Sequence, residues 1–357
     1  MTAPILARRL LNQRLARTKF KTPLEVVFSL GAVQAQDYSG ARWALGLRAN
    51  GLTDARVEKA FDDGTILRTH VLRPTWHFVA PADIRWMLAL TGPRVMTRMA
   101  PYNRLLELER DTFAKSRKVL ERTLRDGRHL TRAELGAALE RGGITARGPR
   151  LAHLAMDAEL QGIICSGPRR GAQFTYALVA ERAAPAPPLT RDESLAELTR
   201  RYFTSHGPAS IRDFVWWSGL TTPDARRGLA MLGRDVCEEV IDEVTCWSLP
   251  ASQVASRRSL SPGAHLLPNY DEYLIAYKDR GFAVGRQTFD DFYAHFLTID
   301  GLLAGTWRRI VTKDTVTITV RTMKPLSRTD KALVAASAQR HAAFMERRLE
   351  LRHLPSS

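Results

Sequence analysis

A pattern of helix-start signals followed by two short strand-like runs recurs three times along the chain. In the first copy, Thr22-Pro23 begins a helix, because threonine caps helix amino termini and proline suits the first helical turn. Residues 67–79 then alternate as paired strands do, with Arg73-Pro74 as an interruption. This order predicts helices packed on a small β-hairpin.

The second and third copies follow the same order. A capping box joins Thr131 to Glu134 at a helix start, and strands are predicted at 163–165 and 174–178 across a basic loop bounded by glycines. The third copy has two helix starts and two strands, at Ser210, Thr222, 237–240 and 244–249. Helices joined by a short turn and followed by a hairpin are typical of winged helices, so the sequence predicts an α+β fold with three tandem winged-helix units.

The predicted units divide the chain into five parts. They are a first winged helix at 1–110, a second at 111–182, a third at 190–255, a small β-region at 262–325 and a C-terminal helix at 327–352. A linker rich in proline and alanine separates the second unit from the third, and its composition predicts a stiff connection.

The charge of the chain favours a polyanionic partner. Its 357 residues include 53 lysines and arginines against 37 aspartates and glutamates, which gives a formal net charge of +16 and a pI of about 10.3. The segment 8–21 alone holds six basic residues and no acidic one. Nucleic acid is therefore the preferred candidate partner, ahead of an acidic membrane. The alternative explanation of the charge is a generally arginine-rich proteome.

Several classes of protein are not favoured by the sequence, namely disulfide-bonded, zinc-binding, secreted and membrane-spanning proteins. Three cysteines without a CxxC spacing predict neither a disulfide framework nor a zinc site. The nine histidines include no HExxH motif, and neither a metal nor a cofactor is predicted. Neither a signal peptide nor a run of about 18 apolar residues is visible, so the expected location is the cytoplasm, in association with the nucleoid.

Two glutamines one residue apart, Gln34 and Gln36, are the candidate reactive groups. Side chains at i and i+2 share a face of an extended segment, so a joint role requires the preceding helix to end near Gly31. Paired carboxamides can hold a water molecule without acting as strong bases. That suffices for a substrate whose leaving group already carries a positive charge. On the residues alone, the alternative that the pair caps a helix end stays open.

Motifs spread over nearly the whole chain resemble the AlkZ/YcaQ-type winged-helix DNA glycosylases, the family of the azinomycin-resistance enzyme. The motifs are Val33-Gln34-Ala35-Gln36, Arg68-Thr69-His70-Val71-Leu72-Arg73-Pro74-Thr75-Trp76-His77, Leu266-Leu267-Pro268-Asn269-Tyr270-Asp271, and Asp300-Gly301 with Gly305-Thr306-Trp307. The resemblance implies tandem winged helices curved around duplex DNA. It also implies a monofunctional glycosylase that acts on N7-alkylated purines, including bulky or crosslinked adducts.

The resemblance further implies that Gln34 and Gln36 are catalytic. One branch of the family has aspartate in place of the second glutamine, whereas this chain has Gln36 followed by Asp37 and is closer to the crosslink-resistance branch. A loop shift of one residue would put Asp37 in the position of the residue that aligns water, so Asp37 is an accessory candidate. His70 is a second one. Alkylation at N7 makes guanine cationic, so its glycosidic bond breaks without a general acid and without a Schiff-base lysine.

Eight basic residues are predicted to contact DNA. They are Arg73, Arg147, Arg150, Arg169, Arg170, Arg308, Arg309 and Lys313. Arg147 and Arg150 flank a helix amino terminus, which attracts phosphate. The family has a basic hairpin that probes the minor groove, and the segment 306–320 is the candidate here. The alternative for each of these basic residues is that it lies on a solvent-exposed face without contacting DNA.

Aromatic and histidine side chains allow two interpretations. Trp76 and His77, like His70, could touch phosphate and an adduct, or Trp76 could be core and the histidines hydrogen-bonded structure. The pair Trp216-Trp217 is predicted to pack in the core.

Two other function classes compete with a glycosylase. A winged-helix transcription regulator would usually dimerise on a palindrome, but no dimer helix is evident, and three tandem units can follow a duplex as a monomer. An RNA-processing hydrolase would need carboxylate or metal clusters, which the sequence does not display. Release of free base from DNA carrying N7-methylguanine discriminates between these classes.

Overall fold

The computed structural model describes residues 3–17, 20–249, 261–284 and 295–354. Its helices in chain order are α1 (Ala3–Asn12), α2 (Pro23–Leu30), α3 (Tyr38–Gly46), α4 (Asp54–Asp62), α5 (Ile84–Leu105), α6 (Arg110–Leu124), α7 (Arg132–Arg141), α8 (Pro149–Leu160), α9 (Val179–Arg182), α10 (Arg191–Ser205), α11 (Ile211–Ser218), α12 (Thr222–Leu232), α13 (Glu272–Ile275), α14 (Gly281–Val284) and α15 (Arg328–Met345).

The strands form four sheets in the described part of the chain. They are β1 (Val33–Gln34), β2 (Leu67–His70), β3 (Trp76–Val79), β4 (Leu130–Thr131), β5 (Ile164–Ser166), β6 (Thr175–Leu178), β7 (Cys237–Ile241), β8 (Val244–Ser248), β9 (Ala264–Leu267), β10 (His295–Ile299), β11 (Leu302–Val311), β12 (Thr315–Thr322) and β13 (Arg348–Leu354). The sheet orders are β1-β3-β2, β4-β6-β5, β7-β8 and β13-β12-β11-β10-β9. The chain is therefore a mixed fold of helices and mainly antiparallel sheets.

Side-chain caps explain where several helices begin. Thr22 and Thr131 each accept a hydrogen bond from the backbone of the glutamate three residues later, and that glutamate bonds back to the threonine N–H. Thr221 does the same with an aspartate at the start of α12. Each cap satisfies amides that the first helical turn leaves unpaired. The predicted helix starts are confirmed at these positions.

The described residues form two hydrophobic cores. The larger core joins the first unit, the third unit and the C-terminal sheet, together with Leu160, Cys165 and Val179 of the second unit, and Trp43, Trp217 and Trp307 are its largest members. The smaller core is built only from residues between 106 and 178. Trp217 is buried as predicted, whereas its neighbour Trp216 lies at the core's edge with 36% of its surface exposed.

Residues 183–190, between α9 and α10, contain neither helix nor strand. The boundary predicted between the third unit and the β-region falls mostly on 250–260, outside the described residues.

The predicted C-terminal helix is wrong in its last turns. The helix α15 ends at Met345, and Glu346 adopts a left-handed conformation with φ of 54°. Beyond it, β13 pairs in parallel with β12. The reason is visible in residues 348–352, where leucines alternate with charged residues, so the period is that of a half-buried strand.

The buried imidazole of His341 is expected to make the free energy of unfolding depend on pH. Its Nε2 lies 2.8 Å from an Arg309 guanidinium nitrogen, which can only donate, so the ring accepts there in its neutral form. Burial, followed by the charge of Arg309, lowers the pKa of His341 to about 3. Because the unfolded pKa is about 6.5, protonation favours the unfolded chain, and this contribution to stability is lost as pH falls below 6.5.

We expect His341→Phe to weaken this pH dependence. Between pH 6 and pH 4 the wild-type free energy of unfolding should fall by about 1.4 kcal/mol per pH unit on account of this residue, and the variant should lack that part of the slope. Chemical denaturation across the pH range measures it. The exposed His353→Phe is the matched control. Parallel curves for wild type and His341→Phe would contradict the assignment.

Candidate active site

The Gln-x-Gln segment lies at the edge of the first sheet, as the sequence requires for a joint role. Helix α2 ends at Leu30, and Gly31 follows with a φ of 82°, which favours glycine. Gln34 then pairs with His77 of β3 in antiparallel register. The Ala35 N–H donates to the Trp76 carbonyl at 2.7 Å, so the pairing continues to the residue between the two glutamines.

Gln34 is held at both its backbone and its side chain. Its N–H donates to a carboxylate oxygen of Glu272 at 3.0 Å, and its side-chain oxygen accepts from the Arg73 guanidinium at 2.9 Å. Only 7% of its surface is exposed. Because Arg73 can only donate, this contact identifies which end of the carboxamide is oxygen. One oxygen lone pair and the amide NH₂ remain for a ligand.

Gln36 lies beyond the end of β1 and is exposed. Its carboxamide oxygen is 3.5 Å from the Trp76 N–H, a long contact that leaves the side chain free to adjust. The next residue, Asp37, has a structural task, because its carboxylate accepts from the Gly40 N–H and the Ser39 hydroxyl and caps α3.

The carboxylate of Glu272 is the buried support of the site. It accepts hydrogen bonds from the Gln34 N–H and, at 2.9 Å, from the Trp217 indole N–H, and it lies 3.5 Å from the His206 ring. Burial raises the pKa of this carboxyl group, but His206, the Gln34 N–H and Arg73 together outweigh burial and lower it. Glu272 is therefore an anion at neutral pH, with its charge facing Arg73.

The cation of Arg73 faces inward, toward Gln34, although the sequence analysis assigned it to DNA. Its guanidinium bonds Gln34 and lies 5.8 Å from the Trp216 ring centre. Burial lowers the pKa of Arg73, and the charge of Glu272 opposes that effect. The arginine thus orients a carboxamide of the site.

A second buried carboxylate, Glu159 of α8, reaches the site from the second unit. It pairs closely with the His70 ring and accepts from the Trp76 indole N–H at 3.3 Å. The rings of His70 and Trp76 pack 4.4 Å apart. His77 is fully buried, and burial, then Arg73, lowers its pKa to about 3. Both histidines are hydrogen-bonded and buried, and Trp76 remains partly exposed beside Gln36.

The other predicted DNA contacts fall into two groups. Two of them support the fold, because Arg150 donates to the carbonyls of Thr145 and Leu106, and Arg169 pairs with Glu58. Arg147 and Arg170 form ion pairs with Glu140 and Glu134 but keep 85% and 55% of their side-chain surface exposed. Spacing alone could not separate the groups, because several partners, among them Leu106, Glu58 and Glu134, are distant in sequence.

The long hairpin of β11 and β12 carries the remaining predicted contacts. It turns at 312–314, as predicted, so Lys313 lies at its tip, exposed. Arg308 is also exposed, whereas Arg309 turns back to His341. Ile310, next to the tip, has 68% of its surface exposed.

Sequence reasoning missed Glu272 and Glu159. The sequence did carry a signal for Glu272. This acidic residue directly follows the motif that ends at Asp271 and stands at the start of an apolar run. Glu159 is the one acidic residue on the buried face of α8. Buried carboxylates are uncommon unless paired, so such positions indicate a polar network.

Two features of the described residues bear on possible partners. No group of three or more histidine, cysteine, aspartate or glutamate side chains there could hold a metal ion. None of the described helices is long and apolar enough to cross a membrane.

The comparisons with known proteins agree with this architecture. The family model for AlkZ-like DNA glycosylases matches residues 27–344. A Streptomyces sahachiroi protein named interstrand DNA cross-link repair glycosylase is 26% identical over 298 residues, which are 76% of each chain. The solved structure of the DNA glycosylase AlkZ of Streptomyces sahachiroi superposes with a TM-score of 0.80, at 21% identity and 99% coverage of both chains.

The fold and the family match define the class of this protein as a DNA glycosylase. The chain belongs to the AlkZ-like DNA glycosylase family, because the family model covers residues 27–344. The likeness to the solved structure establishes the fold. These findings favour a glycosylase over a transcription regulator and an RNA-processing hydrolase.

Glu272→Gln tests whether the buried carboxylate supports the site. A carboxamide must present its NH₂ to one of the two N–H donors, so we expect a loss of about 1–3 kcal/mol in the free energy of unfolding. Displacement of Gln34 should lower the single-turnover rate of base excision by at least about tenfold. Glu197→Gln makes the same chemical change in an ion pair with Arg201 outside the site and is the control. A wild-type excision rate in Glu272→Gln would refute the supporting role.

Proposed function

We propose that this chain is a monofunctional glycosylase that hydrolyses the N-glycosidic bond of cationic N7-alkylated purines in duplex DNA. We include bulky adducts and interstrand crosslinks among its substrates, as the name of the Streptomyces relative suggests. The observation that carries the proposal is the pair Gln34 and Gln36, which sits at a strand end whose backbone is bonded by Glu272 and Trp76.

The chemistry follows from the neutrality of the two carboxamides. Gln34 and Gln36 can orient a water molecule toward the sugar carbon, but neither supplies a proton to a leaving base. A cationic base needs none, because it departs as a neutral molecule while positive charge develops on the sugar. Carboxamide oxygens stabilise that charge, and the anion of Glu272 offsets the cation of Arg73 nearby.

The exposed cations support a DNA surface. We assign phosphate contacts to the exposed residues Arg147, Arg170, Arg308 and Lys313. The inward contacts of Arg73, Arg150, Arg169 and Arg309 support structural roles for those four instead. The hairpin of β11 and β12, with Ile310 and Lys313 near its tip, has the length and charge of a groove-probing element.

We further propose that the first three units are tandem winged helices that follow the duplex as a monomer. Each combines helices with a small hairpin sheet, formed by β2 and β3, by β5 and β6, and by β7 and β8. An enzyme acting on chromosomal lesions would work in the cytoplasm at the nucleoid.

Replacing the two glutamines tests their catalytic role. We expect Gln34→Ala or Gln36→Ala to lower the single-turnover excision rate by about 10²-fold or more, because water orientation and charge stabilisation are lost. DNA affinity should change little, since neither residue is on the proposed phosphate surface. The control is Gln161→Ala, an exposed glutamine after α8. Full activity in the double variant would remove the pair from the mechanism.

Substrate charge and metal dependence test the reaction class. We expect release of N7-methylguanine from duplex DNA, undiminished by excess EDTA, and very slow release of uracil, because a neutral leaving base would need a proton that the carboxamides cannot give. Single-turnover assays on matched duplexes with and without chelator measure this. Comparable uracil excision, or activity abolished by EDTA, would be incompatible with the mechanism.

A further inference from the structure

The connection between β2 and β3 folds into two successive three-residue turns, hereafter called the Arg73 turn (residues 71–75). The Arg73 N–H donates to the Val71 carbonyl at 2.6 Å, and the Thr75 N–H donates to the Arg73 carbonyl at 2.7 Å. Leu72 is the central residue of the first turn and has a φ of 64°. A three-residue turn with positive φ is rare and strained, above all for a bulky residue such as leucine.

The helix α5 holds the Arg73 turn through a threonine. A strained backbone persists only where the surrounding structure fixes it. The Leu72 N–H donates to the Thr91 hydroxyl at 3.1 Å, and that hydroxyl donates to the Met87 carbonyl at 2.8 Å. Because Leu72 and Thr91 are both buried, loss of the hydroxyl would leave the Leu72 N–H without a partner.

The third unit holds the same residue through Gly219, which directly follows α11. Gly219 has a φ of 72°, a conformation that favours glycine. A Cβ atom at this position would overlap the Leu72 carbonyl oxygen. Any larger residue would therefore displace either the Leu72 peptide or the end of α11.

The position of the Arg73 guanidinium follows from this backbone. Leu72 precedes Arg73, and Pro74 restricts the Arg73 backbone to extended conformations. From there the guanidinium reaches the Gln34 side-chain oxygen at 2.9 Å and faces the Trp216 ring of α11. A shift of the turn would therefore move the group that orients the Gln34 carboxamide.

We propose that Thr91 and Gly219 are positioning residues for base excision, which act by fixing the Arg73 turn and, through Arg73, the carboxamide of Gln34. This proposal rests on the proposed glycosylase function and deepens it by assigning the geometry of Gln34 to two residues outside the Gln-x-Gln segment. The effect on rate is expected to be large, because a misplacement of about 1 Å can slow a reaction about 10²-fold.

Thr91→Val tests the anchor on α5, because valine keeps the shape of threonine but cannot accept from the Leu72 N–H. We expect the single-turnover rate of N7-methylguanine release at saturating enzyme to fall about tenfold or more. The enzyme concentration that gives half the maximal rate should stay at the wild-type value, since the turn is not on the proposed phosphate surface. Thr91→Ser restores the hydroxyl and should recover most of the rate.

The matched control for this variant is Thr199→Val. Thr199 of α10 is also fully buried, and its hydroxyl donates at 2.7 Å to the carbonyl four residues earlier, that of Leu195. Thr91 makes the same bond within its own helix, but only Thr91 also accepts from the Arg73 turn. The excision rate of Thr199→Val should therefore equal that of wild type.

Gly219→Ala tests the second anchor, because its methyl group would displace the Leu72 carbonyl. We expect a fall in the maximal excision rate comparable to that of Thr91→Val. The matched control is Gly143→Ala, in the second unit after α7. Gly143 has a φ of 73°, and no described atom lies within 4 Å of an added Cβ, so this variant introduces backbone strain without moving the turn.

A rate in Thr91→Val or Gly219→Ala no lower than that of its control would overturn the proposal, as would a Thr91→Ser variant as slow as Thr91→Val. If Thr91→Val does not fold, the comparison of Gly219→Ala with Gly143→Ala decides. If wild type released no base, the proposed function would fail instead, and crystal structures of the variants then test the anchors. An Arg73–Gln34 contact that is lost in Thr91→Val but kept in Thr199→Val supports the proposal, and a contact kept in both overturns it.

Discussion

The buried carboxylate of Glu272 connects parts of the chain that are far apart in sequence. It accepts hydrogen bonds from Gln34 in the first unit and Trp217 in the third, and it lies beside His206. Burying such a charge is costly unless hydrogen bonds and opposite charges compensate it. The polar network exists because these partners converge, and the position of Gln34 depends on it.

A second buried ion pair stabilises the same region. Arg48 makes two hydrogen bonds, at 2.8 and 2.9 Å, to Asp271, the neighbour of Glu272, and both side chains are almost completely buried. Bidentate pairing gives directional restraint as well as energy. Together the two acidic residues join the chain after β9 to the first unit, so the C-terminal region is part of the framework of the site.

The second unit has a hydrophobic cluster of its own, but it also contributes Leu160, Cys165 and Val179 to the main core. Polar contacts cross the same boundary, because Glu159 accepts from the Trp76 indole N–H and Ser166 accepts from the Arg68 N–H at 2.8 Å. Apolar and polar contacts together therefore attach the second unit to the sheet that carries Gln34.

Local sequence signals predicted several helix starts, among them those of α2, α7 and α12, the hairpins and the end of α2 at Gly31, because caps, alternation and glycine act over a few residues. They did not reveal α3 and α5. The same reasoning was wrong at the last strand, where charged residues that continue from α15 concealed the alternation at 348–352. The glutamine pair was found from its spacing and from the family resemblance. Its supporting carboxylates were not, since their hydrogen-bond partners lie 55 to 238 positions away.

The sequence by itself determined the order of elements, the excess of positive charge and the presence of two neutral carboxamides on an extended segment. Tertiary structure decided which charges are available to a ligand. Arg73 and Arg169 resemble surface cations in the sequence, but Gln34 and Glu58 hold them inward, whereas Arg308 stays exposed. The physical reason is that exposure and pairing depend on which distant backbone and side-chain groups folding brings within hydrogen-bonding distance, and short-range patterns carry no record of those distances.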